Sequence, residues 1–238
     1  MSANELGLIL NRISRIAERL GDRVNEVVFI GGCIASLLIT DKASLRVRPT
    51  KDVDVIIQTR DKSSYYRFEE TLRSLGFRQK MIGDDPICRW HFEDLMLDVM
   101  PTDQNILSFG NEWYEIAYRD SQPYELPDGK TIRVISAPLF ICTKLNAYDT
   151  RGKNYKESHD IEDVISVVDG RPELKDEIAK SDKLVQEYLK TRFKDLLSQE
   201  AFISALEWHV PYDAVSGERE VIIVERMEEI ATMAWIES

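Results

Sequence analysis

Asp52 and Asp54 stand one residue apart in a stretch otherwise built from valine and isoleucine, Val53, Val55, Ile56 and Ile57. Acidic side chains are unfavourable in strands, so two of them inside a β-branched run need a reason. Side chains alternate along a strand, which sends Asp52 and Asp54 to one face and Val53, Val55 and Ile57 to the other. One face is therefore core. The other carries two like charges roughly 7 Å apart at a rise of about 3.3 Å per residue. Such a pair calls for a positive group between its members, and Mg²⁺, a hard cation that takes carboxylate oxygens, suits it.

The surrounding chain predicts a mixed architecture. Apolar residues from Leu6 to Leu20 recur at helical spacing, followed by a short buried strand at Val27–Ile30 that Gly31-Gly32 ends. A helix is expected from Cys33 to Ile39, a basic loop from Asp41 to Thr50 with Arg46, Arg48 and Lys51 near it, and a strand from Lys51 to Gln58. Ser64 to Leu75 reads as a helix closed by Gly76. Strands are expected at 77–82, 88–92 and 95–100, the first two around the turn Gly83-Asp84-Asp85-Pro86. Pro127-Asp128-Gly129 marks a hairpin joining 122–126 to 131–135. Beyond Ile135 the pattern is helical: from Ser136 and Pro138 to Arg151, then 160–168, 173–197 and 218–235. We therefore expect an α+β protein with an α/β domain at 1–135 and a helical domain at 136–238.

Bulk composition narrows the class. The 238 residues, 43% hydrophobic and 31% charged, suit a soluble globular protein. A formal charge of −11 argues against broad coating of nucleic acid, which needs many Lys and Arg side chains on phosphates. Cys33, Cys88 and Cys142 are far apart and form no CxxC, so neither a disulfide framework nor a zinc knuckle is expected. No basic leader and no run near ~20 apolar residues is present, so a cytoplasmic location without membrane contact is expected.

Further residues could carry chemistry. Gly31-Gly32 at a strand–helix junction, with Ser36 one turn on, would let backbone approach a triphosphate; a tight turn alone also explains such a pair. No P-loop GxxxxGK[ST] and no GxGxxG accompanies it. Asp98, inside Leu95-Met96-Leu97-Asp98-Val99, is a third acid in an apolar strand. An edge-strand or strand-terminal position would explain it, since Pro101 follows. Beside the first pair it also allows a three-carboxylate site for one or two Mg²⁺ ions, with Asp98 placed to help deprotonate a hydroxyl. Lys144, Tyr148 and Arg151 share a helix face, with Lys153 and Lys156 following. Asp160 reads equally as an N-cap or a functional acid, and Asp163 as its neighbour on a polar side. His91, His159 and His209 show no metal-ligand spacing.

Together, Phe29-Ile30-Gly31-Gly32, Asp52-Val53-Asp54-Val55 and Leu97-Asp98-Val99 resemble the nucleotidyltransferase superfamily with its polymerase-β-like fold. Thr50-Lys51-Asp52-Val53-Asp54, the Asp128-Gly129 hairpin and the order Lys144, Arg151, Asp160, Asp163 are similar to the AbiEii-type toxin branch of type IV toxin–antitoxin systems. The segment between Gly32 and Asp52 is longer than that family usually shows.

The resemblance implies a mixed β-sheet with helices and a helical C-terminal part, and transfer of an NMP from an NTP such as ATP to an acceptor hydroxyl with release of pyrophosphate. It implies that Asp52, Asp54 and Asp98 are catalytic and hold metal. Gly31, Gly32, Ser36, Lys51, Lys144 and Asp160 would contact the nucleotide, Lys144 at the β- and γ-phosphates. The acceptor would be RNA or a tRNA end, a protein or a small molecule such as an antibiotic, and an antitoxin protein is a further expected partner. A non-catalytic nucleotide-binding or interaction protein of the same fold is the alternative.

Overall fold

The computed structural model describes residues 3–41, 48, 50–59, 61–80, 85–151, 154–210 and 216–234. Arg46, Lys153, most of the 41–50 loop and the Gly83-Asp84 part of the turn before Pro86 lie outside them. Two compact units emerge: residues 1–36 with 47–136, and residues 37–46 with 137–238.

The first unit is a six-stranded mixed sheet with helices. Its strands are β1 (Val27–Ile30), β2 (Asp52–Ile57), β3 (Arg89–Phe92), β4 (Leu95–Pro101), β5 (Gln122–Glu125) and β6 (Thr131–Val134). They lie in the order β3-β4-β2-β1-β6-β5. β1 runs antiparallel to β2 and parallel to β6, while β2 runs parallel to β4. Both edges are hairpins, β3–β4 and β5–β6. The second hairpin turns at Gly129, whose φ of 82° and N–H to the Leu126 carbonyl (2.8 Å) close the expected turn.

Period-two patterning holds. Trp90, Leu97 and Val53 are register partners across β3, β4 and β2, and all three are buried. Val55 pairs with Val99 in the same buried layer. Helix α1 (Ala3–Leu20) packs on β2 and β4. Ile9, Ile13, Ile16 and Leu20 form its buried stripe, as their three- and four-residue spacing requires.

Between β1 and β2 comes the one-turn helix α2 (Ala35–Leu38), and α3 (Lys62–Ser74) follows β2. It starts two residues before Ser64 because Asp61 accepts from the Ser64 N–H and the Ser64 hydroxyl answers at the Asp61 backbone, a capping box. Its end is the expected glycine stop: Gly76 at φ 90° donates to Arg73, and Phe77 donates to Leu72, the paired bonds of a Schellman motif.

Inside this unit the buried Tyr65 hydroxyl donates to the Val99 carbonyl at 3.1 Å, tying α3 to β4. Tyr65→Phe is expected to cost about 1 kcal/mol, the net worth of one buried hydrogen bond, measurable as a lower urea midpoint at unchanged slope. Of the strand expected over 77–82, the described residues 77–80 form a single bridge, between Arg78 and His91, and residues 81–82 lie outside the described residues. A short helix, α4 (Tyr114–Arg119), lies where sequence periodicity predicts nothing.

The second unit is helical: α5 (Ala137–Arg151), α6 (His159–Gly170), α7 (Leu174–Ala179), α8 (Lys183–Leu197), the single turns α9 (Glu200–Ile203) and α10 (Leu206–His209), and α11 (Ser216–Ala231). The helix expected over 173–197 is broken in two. Asp182 caps α8 by accepting from Leu184 N–H at 2.9 Å, and Ser181 turns its hydroxyl to the Glu177 carbonyl. Ser and Asp compete for backbone groups in this way and so interrupt helices. Thr40, from the 37–46 segment, bonds the Gly170 carbonyl through its N–H and Glu173 through its hydroxyl. Among the described residues no helix is long and apolar enough to cross a membrane.

Candidate active site

Register assembles the candidate site in the first unit. Ile30 pairs with Asp54, Asp54 with Asp98, and Asp98 with Arg89. Partners in a ladder share a face, so Arg89, Asp98 and Asp54 form one row across β3, β4 and β2, with Asp52 two residues along on that same face. The third acid is thus beside the first pair.

The glycine turn closes the row at β1. Gly31 takes φ 76° with ψ −176°, a conformation side chains rarely allow. A Cβ there would fall 2.0 Å from Asp54 Oδ2 and 2.8 Å from Asp54 Cβ. Backbone and carboxylate meet where only a glycine fits. Gly32 opens a 3₁₀ turn, Gly32–Ile34, that packs on β2 and leads into α2. On α2 the Ser36 hydroxyl is buried and has no hydrogen-bond partner among the described residues. Lys51, just before β2, is exposed.

The cation between the acids is a residue that sequence reasoning missed. Arg89 donates from Nε to Asp98 Oδ1 (2.8 Å) and from Nη2 to Asp98 Oδ2 (2.7 Å), a two-pronged bond. The same Nη2 donates to Asp52 Oδ2 at 2.8 Å. Side-chain exposures of 11% for Asp98, 19% for Arg89 and 35% for Asp52 run from the interior to the rim. The Asp98 hydrogen bond raises the Arg89 pKa further, so the guanidinium stays charged. Burial, followed by the Asp98 charge, pushes the neighbouring Cys88 thiol up to about 12, which rules it out as a nucleophile at neutral pH.

A signal for Arg89 exists in the chain. If Glu93-Asp94 is read as a two-residue turn, β3 and β4 align with Arg89 opposite Asp98. The left-handed φ of 54° at Glu93 is the conformation such a turn uses.

These residues fit a divalent cation in part. Carboxylates at Asp52 and Asp54 are hard oxygen donors on one face, the chemistry Mg²⁺ selects. Among the described residues no group of three or more His, Cys, Asp or Glu side chains is arranged to hold a metal ion. Both Asp98 oxygens are engaged by Arg89, so the positive charge expected between the acids is supplied, on the Asp98 side, by the chain itself.

Lys144 and Asp160 belong to the helical unit and meet there. Lys144 Nζ lies 2.5 Å from Asp163 Oδ2 and 3.4 Å from Asp160 Oδ1, while Arg151 Nη1 donates to Asp160 Oδ2 at 2.9 Å. Asp160 is not the N-cap of α6: Ser158 is, accepting from the Ile161 N–H. Asp160 and Asp163 are buried rather than solvated, their charges matched by the α5 cations. Tyr148, from the same face of α5, stacks on Tyr155 with ring centroids 5.2 Å apart. The histidines have local partners: His91 with Asp85, His159 with Glu162 and His209 with the Tyr155 carbonyl.

The fold is one shared with a solved nucleotidyltransferase-like protein. The chain is similar to the crystal structure of an antigenic nucleotidyltransferase-like protein from Paracoccidioides brasiliensis, with a TM-score of 0.50 and 20% identity over 86% of this chain and 93% of that one. No family model and no curated protein matches the sequence.

Proposed function

We propose that the chain is an Mg²⁺-dependent nucleotidyltransferase that moves an NMP from an NTP to an acceptor hydroxyl and releases pyrophosphate. One observation carries this reading: Asp54 stands in register between Asp98 and the β1 end, with Gly31 pressed against its carboxylate. Asp52 and Asp54 would hold Mg²⁺, which when bound neutralises charge developing on the phosphates. Gly31 and Gly32 carry no side chains; Gly32 is buried and Gly31 half-buried against Asp54, so in this reading a phosphate would meet the backbone at Gly31. Asp98 would join Asp52 and Asp54, or accept the proton of the attacking hydroxyl, once Arg89 releases its carboxylate oxygens. Phosphoryl-type transfer asks for little more than such positioning and charge compensation.

An RNA or tRNA end is the first acceptor to try, because the motif order resembles that of the toxin branch. With a net charge of −11, an RNA contact would be local rather than spread over the surface. Occupation of the acid row by Arg89 favours one rival reading, a nucleotide-binding protein without turnover.

The deciding experiment incubates the protein with each α-labelled NTP, Mg²⁺ and total RNA, then with cell extract. Transfer of label to one pool with matching pyrophosphate release is the expected result. Binding of ATP and Mg²⁺ without pyrophosphate from any NTP supports the rival and overturns the transferase.

A further inference from the structure

We propose that Arg89 is the resident counter-ion of the acid row, and that a divalent cation bridging Asp52 and Asp98 binds only by displacing its guanidinium. This rests on the reading that a metal binds here, not on NMP transfer itself. The geometry is specific. Arg89 Nη2 touches Asp52 Oδ2 and Asp98 Oδ2 at once, at 2.8 and 2.7 Å, which is the place a bridging ion would take. Two positive groups cannot share that place, because like charges a few ångströms apart in a half-buried pocket repel strongly.

The displaced guanidinium has somewhere to go. Asp85 Oδ1 lies 4.0 Å from Arg89 Nη1, the guanidinium nitrogen that bonds neither Asp98 nor Asp52, and His91 Nε2 holds the other Asp85 oxygen at 2.7 Å. Arg89 therefore stands between two carboxylate stations. Held on Asp98 and Asp52, it keeps the row compact and charge-compensated without metal. Drawn toward Asp85, it frees Asp98 as a third oxygen ligand. The acid row would accordingly bind metal weakly in the resting protein and more tightly once an anionic ligand helps draw Arg89 away.

Mn²⁺ binding without nucleotide, followed by the electron paramagnetic resonance of free Mn²⁺, tests this. Arg89→Gln is expected to bind Mn²⁺ about tenfold more tightly than the parent, by removal of the competing charge. Asp52→Asn in the Arg89→Gln background is expected to erase the gain. Equal or weaker binding by Arg89→Gln, or no binding by either protein, overturns the proposal. Should Arg89→Gln fail to fold, the parent itself serves: its Arg89 Nε–H resonance must move on Mg²⁺ titration, and an unmoved resonance at Mg²⁺ concentrations that raise the melting temperature overturns the proposal. Pyrophosphate release by the parent separates the two claims. An active parent with unchanged Mn²⁺ affinity in the variant sinks the counter-ion role alone; an inactive parent with the tenfold gain sinks the transferase alone.

Discussion

Asp54→Asn is expected to lower NMP transfer by about a thousandfold, with far-UV circular dichroism and melting temperature close to those of the parent. Asp54 is the central member of the row, flanked in register by Ile30 on one side and Asp98 on the other. Asparagine keeps its shape and its place in the ladder, so the sheet should survive. What disappears is a charged oxygen donor at the position that, in our reading, couples metal to phosphate. Loss of one preorganised charge of this kind costs roughly two to three orders of magnitude in turnover, and loss of a metal ligand more. Steady-state pyrophosphate release checks the result. A variant with full activity would remove Asp54 from the metal site and the reading with it.

Gly31→Ala should fail for a mechanical reason. The new methyl would meet Asp54 at its carboxylate oxygen (2.0 Å), carboxyl carbon (2.6 Å) and Cβ (2.8 Å). Rotating the Asp54 side chain moves the first two but not the last, so β1 and β2 must part locally. A left-handed φ of 76° adds its own penalty for any residue with a Cβ. Strain and overpacking together come to about 3 kcal/mol, roughly 10 °C of melting temperature for a chain of this size. Thermal unfolding and the transfer assay should fall together. A stable, active Gly31→Ala protein would show that the close contact of Gly31 with Asp54 is dispensable.

Local rules carried the reading of the sheet a long way. Alternation in Asp52-Val53-Asp54-Val55 identified the buried face, Gly76 ended α3, and Gly129 turned the last hairpin, because each depends on a few adjacent residues. Arg89 escaped because its meaning lies in register. Nothing near Trp90 marks an arginine as the partner of an acid nine residues away until the Glu93-Asp94 turn fixes which residues face each other. The charge argument asked for a cation between Asp52 and Asp54; the chain places a guanidinium between Asp52 and Asp98 instead. On α6, sequence reasoning offered Asp160 as the cap and overlooked Ser158, which accepts from the Ile161 N–H while Asp160 bonds Lys144 and Arg151 of α5.

β2 draws its two neighbours from opposite directions along the chain. β1 lies upstream across the 31–51 connection, and β4 arrives only after α3 and the β3 hairpin. While the protein is being synthesised, Asp52 and Asp54 therefore leave the ribosome well before either Asp98 or the arginine that balances it. Until that hairpin forms, Asp52 lacks the Arg89 guanidinium and Asp54 lacks Asp98 as its register partner, so the acid row is complete only once residue 98 has been made.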